Sequence, residues 1–269
     1  DDAWRDRWDW VLTISSWLPS ILWGAAFANL VQGMKIEVVT TATGEVVPAG
    51  AVPADTLLAG ASHQITGGFW SLITPFTLLG GVVTLLLFLN HGALYVALKT
   101  AGSLSHRALA LSRKLGLAST AVTAVWALWA QIAYSPNALA WIPLVVAALG
   151  LIASYAASLQ GREGMAFGLH FVGIAFAVLF IFAAMAPDVM RSSVDPAYSL
   201  TLTQAASADV TLVIMTVAAV VFVPVVLFYT IWGYKVFSAR IHADKIDPNE
   251  GLHPTRVRDS AQPEAAIGY

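Results

Sequence analysis

Long apolar stretches alternate with short polar ones along this chain, and their lengths set the first prediction. A bilayer core about 30 Å thick needs about 20 mostly apolar residues wound as helix. Six stretches reach that length: Trp8–Val31, Phe69–Lys99, Leu115–Ala133, Leu139–Leu159, Met165–Met185 and Val210–Phe237. The pattern predicts an all-α integral membrane protein, a helix bundle with six transmembrane helices. The second stretch holds 31 residues. At 1.5 Å per residue that is about 46 Å, so it must tilt, kink or project from the bilayer. Pro19, Pro75, Pro143 and Pro224 fall within these stretches, which membrane helices tolerate where neighbours satisfy the freed carbonyls. Barrel strands would be about 10 residues long and would alternate strictly. Runs such as Leu151–Leu159 do not alternate.

The same pattern divides the chain. Residues 1–31 are a cytoplasmic collar and first span, 32–68 an outer loop, 69–185 spans two to five, 186–209 a second outer loop, 210–237 the sixth span and 238–269 a cytoplasmic tail. Ile36–Val47, centred on Thr43-Gly44, is a candidate β-hairpin, with a loose coil as the alternative. The second outer loop carries Asp188, Asp195 and Asp209, and the tail carries Pro248, Pro254 and Pro263 among charges, as a solvated end does. No repeat of fixed period stands out.

Composition narrows the class. Hydrophobic residues make up 58% of the 269 and charged residues 11%, with a mean hydropathy of +0.71. Soluble chains carry about 25% charged residues, so a soluble enzyme, a nucleic-acid binder and a disordered protein are excluded. The net charge is −2 and cysteine is absent, which removes disulfides, thiolate-held zinc and iron–sulfur clusters. Twelve of the fourteen basic residues fall on one side of the spans; only Lys35 and Arg191 fall on the other. The positive-inside bias places both chain ends in the cytoplasm. Trp4, Trp8, Trp70, Trp141 and Trp232 sit near the expected interfaces. The opening Asp1 and its charged collar resemble a connection between two spans, and lead us to expect further chain upstream.

Ionisable groups inside a membrane are the usual mark of function, and few occur here. Asp9, beside Arg5 and Arg7, is either an interfacial helix-start carboxylate or a proton-entry group. His91 and His170 lie about 12 Å and 8 Å in from the basic side, counted at 1.5 Å per residue. They are a pair of locally satisfied histidines or, as the alternative, ligands of one haem between two helices. Asn29, Gln32, Asn90 and Gln131 are amides of the kind that hydrogen-bond between helices; contact with a quinone or substrate is the rival reading. Gly80-Gly81 permits close helix approach. Thr201, Thr203, Ser207, Thr211 and Thr216 lead into and along the sixth span and fit back-bonding to carbonyls better than a proton wire. There is no Walker motif, dinucleotide turn, zincin motif or nucleophile elbow. Such a chain reads as a subunit whose chemistry resides in a partner. A b-type haem electron carrier using His91 and His170, and a six-helix secondary transporter, are the alternatives.

Three stretches carry a resemblance. The first runs from Trp4-Arg5-Asp6-Arg7-Trp8-Asp9-Trp10 through Leu18-Pro19 to Trp23-Gly24-Ala25-Ala26-Phe27-Ala28-Asn29-Leu30. The second is Thr74-Pro75-Phe76-Thr77-Leu78-Leu79-Gly80-Gly81, followed by Gly92-Ala93 and Leu98-Lys99-Thr100. The third is Ser199-Leu200-Thr201 through Ala205 and Ser207, then Thr211-Leu212, Met215-Thr216, Pro224 and Tyr229-Thr230-Ile231-Trp232. Together they resemble subunit II of the cytochrome bd-type quinol oxidases, the respiratory oxygen reductases of bacteria. Ala28 stands where that family usually has Gly, and Thr74 where it usually has Asn.

The resemblance implies nine spans in the intact subunit, of which these are the last six; the family's N-terminal G-F-D-x-G and W-D-G-N signatures have no counterpart here. It implies a multi-pass protein of the bacterial inner membrane, paired as a heterodimer with subunit I. Haem b and haem d would lie in that partner and none in this chain, with quinol oxidised and oxygen reduced to water there. Menaquinol would be the donor if the wording reflects an actinobacterial member, ubiquinol otherwise. Small single-span accessory subunits and a bound quinone or lipid also belong to the expectation. Gly24, Ala25, Ala28, Asn29, Gly80 and Gly81 are the candidate residues for packing against the partner, Asp9 is the proton-entry candidate, and no metal site or catalytic residue is expected in this chain.

Overall fold

The computed structural model describes residues 2–242; the expected tail lies outside the described residues from position 243 onward. Six helices are long and apolar enough to cross a membrane: α1 (Asp2–Gln32), α2 (Pro75–Lys99), α3 (Ser103–Trp129), α4 (Trp141–Leu159), α5 (Glu163–Met185) and α7 (Asp209–Val236). Between α1 and α2 lie two strands, β1 (Ile36–Thr40) and β2 (Ala61–Ile65). Between α5 and α7 lie β3 (Asp188–Met190), β4 (Leu200–Thr201) and the single turn α6 (Leu202–Ala205). All these strands sit at one end of the bundle, the loop end. The α2–α3 and α4–α5 turns mark the other, basic end. Each of those turns carries a glycine with positive φ, Gly102 at 72° and Gly161 at 73°, a conformation that glycine alone adopts freely.

The second span is shorter than its hydropathy suggests. Residues Phe69–Leu72 form a separate 3-10 turn, and α2 begins only at Pro75. Thr74 caps it: its side chain accepts from the Thr77 N–H, and Thr77 returns a bond to the Thr74 backbone. Pro75 therefore starts a helix rather than kinking one, because its missing N–H falls among the unsatisfied first-turn donors. Pro143 likewise occupies the first turn of α4, whereas Pro19 and Pro224 lie inside their helices. The third helix begins at Ser103, twelve residues before its apolar stretch, and ends in a π turn over Ala130–Tyr134.

α1 packs on α2, α2 on α3, α3 on α4 and α4 on α5, while α2 also meets α5. Lipid is as apolar as leucine, so close backbone approach rather than hydrophobic burial holds such helices together. A Cβ on Gly80 would stand 2.7 Å from the Ala28 Cβ and 2.9 Å from the Gly24 carbonyl oxygen, and one on Gly81 would stand 2.9 Å from Ile21. Gly150 and Gly173 join α4 to α5 in the same way. The small residues expected to face a partner thus serve first as the α1–α2 contact within the chain. Phe76 stacks on Trp126 with ring centroids 5.3 Å apart at the centre of the main cluster.

α7 differs from the rest, because none of its residues is buried. It is tied near its basic end. Lys99 Nζ donates to the Phe237 carbonyl at 2.9 Å, Thr100 bridges to Ile241, and Arg240 pairs with Glu163 at 2.6 Å.

The loop end is a small cap built from two segments. β1 pairs antiparallel with β2, not mainly with the Thr43-Gly44 hairpin arm, although Val39 and Val46 do form a local bridge. β3 pairs with β4. Ser192 Oγ donates to the Ile36 carbonyl at 2.7 Å, Tyr198 Oη to the Val47 carbonyl at 2.7 Å, and Gln204 Nε2 to the Pro53 carbonyl at 3.1 Å.

Candidate functional site

Polar side chains inside this bundle occur in three layers. At the loop end, amides join helices. Asn29 Nδ2 donates to the carbonyls of Ala25 and Leu72. Gln32 accepts from Thr74 Oγ1 at 2.8 Å and donates to Tyr134 Oη at 3.1 Å. Gln131 Nε2 donates to the Asn137 carbonyl. Arg191, read from sequence as an outer-loop charge, is mostly covered here. It donates to the carbonyls of Val31, Tyr134, Ala184 and Met185 and pairs with Asp188. Burial pushes the Asp188 carboxyl above its usual value, and Arg191 pulls it back.

The middle layer is a cavity of about 420 Å³, walled by Trp23, Phe27, Leu87, Trp126, Leu151 and Ile174 among others. Two donors in its wall, Trp126 Nε1 and Thr123 Oγ1, are buried and have no hydrogen-bond partner. They lie three residues apart, on one face of α3. The surface of the cavity is almost wholly apolar, so it is suited to a hydrocarbon chain. Sequence reading missed both residues, since a tryptophan and a threonine in an apolar helix carry no distinguishing signal.

The third layer lies towards the basic end. His91 on α2 and His170 on α5 meet Nδ1 to Nδ1 at 3.2 Å, with rings 24° from parallel. Phe167 stacks on His91 at 4.4 Å. His170 is 1% exposed and its Nε2 has no partner; His91 is half-buried. Beside them Ser112 Oγ donates to Asn90 Oδ1 at 2.8 Å, and Ser154 Oγ to the Ala166 carbonyl at 2.7 Å. The contact between the two rings is a hydrogen bond. Among the described residues no three His, Cys, Asp or Glu side chains converge on a metal-sized site.

The structure brings His91 and His170 together, and Gly24, Ala28, Gly80 and Gly81 together. Asp9 stands apart, exposed on α1. Thr201 caps α6 in a reciprocal pair with Gln204, and Thr216 bonds back to the Leu212 carbonyl.

Comparison with known proteins places the chain. The family model described as cytochrome bd terminal oxidase subunit II matches residues 1–237. The chain is similar to the cytochrome bd ubiquinol oxidase subunit 2 of Bacillus subtilis, 31% identical over 242 residues, covering 88% of this chain and 65% of that protein. It is 31% identical over 282 residues to the cytochrome bd-I ubiquinol oxidase subunit 2 of Escherichia coli K12, covering 93% and 69%. A probable cytochrome oxidase subunit 2 of Haemophilus influenzae is 29% identical over 281 residues, covering 92% and 69%. The chain thus spans about two thirds of the length of these relatives.

Proposed function

The chain belongs to the cytochrome bd terminal oxidase subunit II family, and on that premise we propose that it is the haem-free partner of a haem-bearing subunit I in a membrane quinol oxidase. Subunit I oxidises quinol, menaquinol or ubiquinol, and reduces oxygen to water at its haems b and d, with protons taken from the cytoplasm. This chain braces that subunit in the bacterial inner membrane with both ends cytoplasmic, and Asp9 at the basic end is its proton-entry carboxylate.

One observation of the fold carries the reading: α7, a 28-residue apolar helix with no buried residue. An isolated protein has no use for a span that touches the bundle only near its end. A partner that packs along α7 and the outer face of α1 gives both helices a neighbour. The cavity supports the other part of the proposal, a bound quinone or lipid. Its apolar walls take the tail of either. A quinone held there supplies redox capacity when bound; the residues of this chain only grip and orient it and keep water out.

The test is co-purification with a visible spectrum. The complex should contain subunit I and its haems, and this chain purified alone should show no Soret band. A Soret band retained by the isolated chain would favour the electron-carrier alternative. Substrate uptake by proteoliposomes containing the chain alone would favour the transporter.

A further inference from the structure

We propose that His91 and His170 form a one-proton site, a pair of imidazoles that binds and releases a single exchangeable proton inside the membrane-spanning bundle. The proposal deepens the function argued above and rests on it only for the process that uses the proton. The geometry fixes the capacity. With the Nδ1 atoms 3.2 Å apart, one must carry the hydrogen and the other the lone pair. In the neutral pair one ring is therefore the Nδ1–H tautomer, with a free lone pair on Nε2, and the other is the Nε2–H tautomer. An arriving proton forms an N–H bond at the free Nε2 as an O–H bond of a water-borne hydronium breaks, and release reverses the step. The charge spreads over both rings through the shared Nδ1 hydrogen. A second proton would set N–H against N–H at 3.2 Å, so uptake stops at one.

The surroundings suit that role. His91 is half-buried and offers the way in, whereas His170 is 1% exposed. The His170 Nε2 is buried with no protein partner, so the exchangeable proton enters and leaves at His91. The pair lies one helical turn from the cavity wall, since Leu87 and Ile174 both line it. The titratable or charged side chains on the four packed helices towards the basic end are Tyr95 and Lys99 on α2, His106, Arg107, Arg113 and Lys114 on α3, Tyr155 on α4 and Glu163 on α5. Glu163 is the one carboxylate among them and is paired with Arg240. His91 and His170 are the pair of imidazoles in direct contact at this level of the bundle.

The assembled complex with 15N-labelled histidine tests this directly. The expected result is one protonated and one unprotonated Nδ1 in contact at high pH, converting in a single one-proton step shared by both residues. Two Nε2–H tautomers with no shared hydrogen, or two independent titrations, would overturn it. In His91→Gln and His170→Gln, each with full haem content, the shared step should vanish and the pH profile of oxygen consumption should lose one ionisation. An unchanged profile in both variants would equally overturn the proposal. A wild-type preparation lacking the haem subunit but keeping the shared-proton signal would refute the assigned function and leave the proton site standing.

Discussion

Arg191 Nε lies 3.6 Å from Asp188 Oδ2, both side chains being at least four-fifths buried, and the rest of the guanidinium closes the ends of three helices. Its donors reach the carbonyls of Val31 at the end of α1, Tyr134 in the turn that ends α3, and Ala184 and Met185 at the end of α5. Three helix C-termini, each with a partial negative charge, meet one cation there. Arg191→Met leaves those carbonyls and Asp188 without their partner, and removing one member of a buried pair costs about 3–5 kcal/mol. The expected outcome is a large fall in the thermal midpoint of the detergent-solubilised protein. Arg191→Lys should recover only a small part, because an ammonium cannot reach carbonyls on several sides at once. An unchanged midpoint in Arg191→Met would refute the role.

Asp188 makes the same corner sensitive to pH. Burial raises its folded-state value, and Arg191 opposes this without cancelling it. Between the ordinary carboxylate value and the raised one, the folded state holds more protons than the unfolded state. Stability therefore falls as pH rises through that interval and is flat above it. Melting Asp188→Asn beside the parent across acidic pH should give a difference that changes with pH in the interval and is constant beyond it. A constant difference throughout would contradict the assignment.

Gly80 is one of the tight points of the α1–α2 contact. A methyl group there meets the Ala28 Cβ at 2.7 Å and backbone oxygen at 2.9 Å. Gly80→Ala should destabilise this chain by about 1–3 kcal/mol, as overpacking does. The loss should appear in the chain's own melting, with or without its partner. If only association with the partner weakened, the glycine would belong to the intermolecular face instead.

For the cavity, Ala147→Phe and Ala177→Phe each place a ring in its wall. Extraction and chromatography of the purified complex should find bound quinone or lipid reduced in both variants by displacement. Equal ligand content in both variants and the parent would rule the site out.

The six spans were legible because membrane thickness imposes a length that no soluble helix must meet, and all six appear in the structure. Their ends were less so. The Thr74-Pro75-Phe76-Thr77 run carries a cap and a first-turn proline, yet hydropathy alone ran the span back to Phe69. Depth along the axis could be counted for His91 and His170, but not the direction in which each faces, and direction decides whether they meet. β2 lies some twenty residues beyond β1, out of reach of a local hairpin signal. Arg191 was hidden for another reason: its partners are main-chain carbonyls from three distant segments, and carbonyls leave no mark in a sequence.

α7 is clasped at its basic end by Lys99, Thr100 and Glu163 and joined to the cap at its other end, with its length open to lipid. A rail clasped at one end and only tethered by the chain at the other sets where a neighbour may run without deciding how hard it is held. Register between two subunits would then be inherited from this chain alone, and grip would be negotiated later by whatever slides alongside.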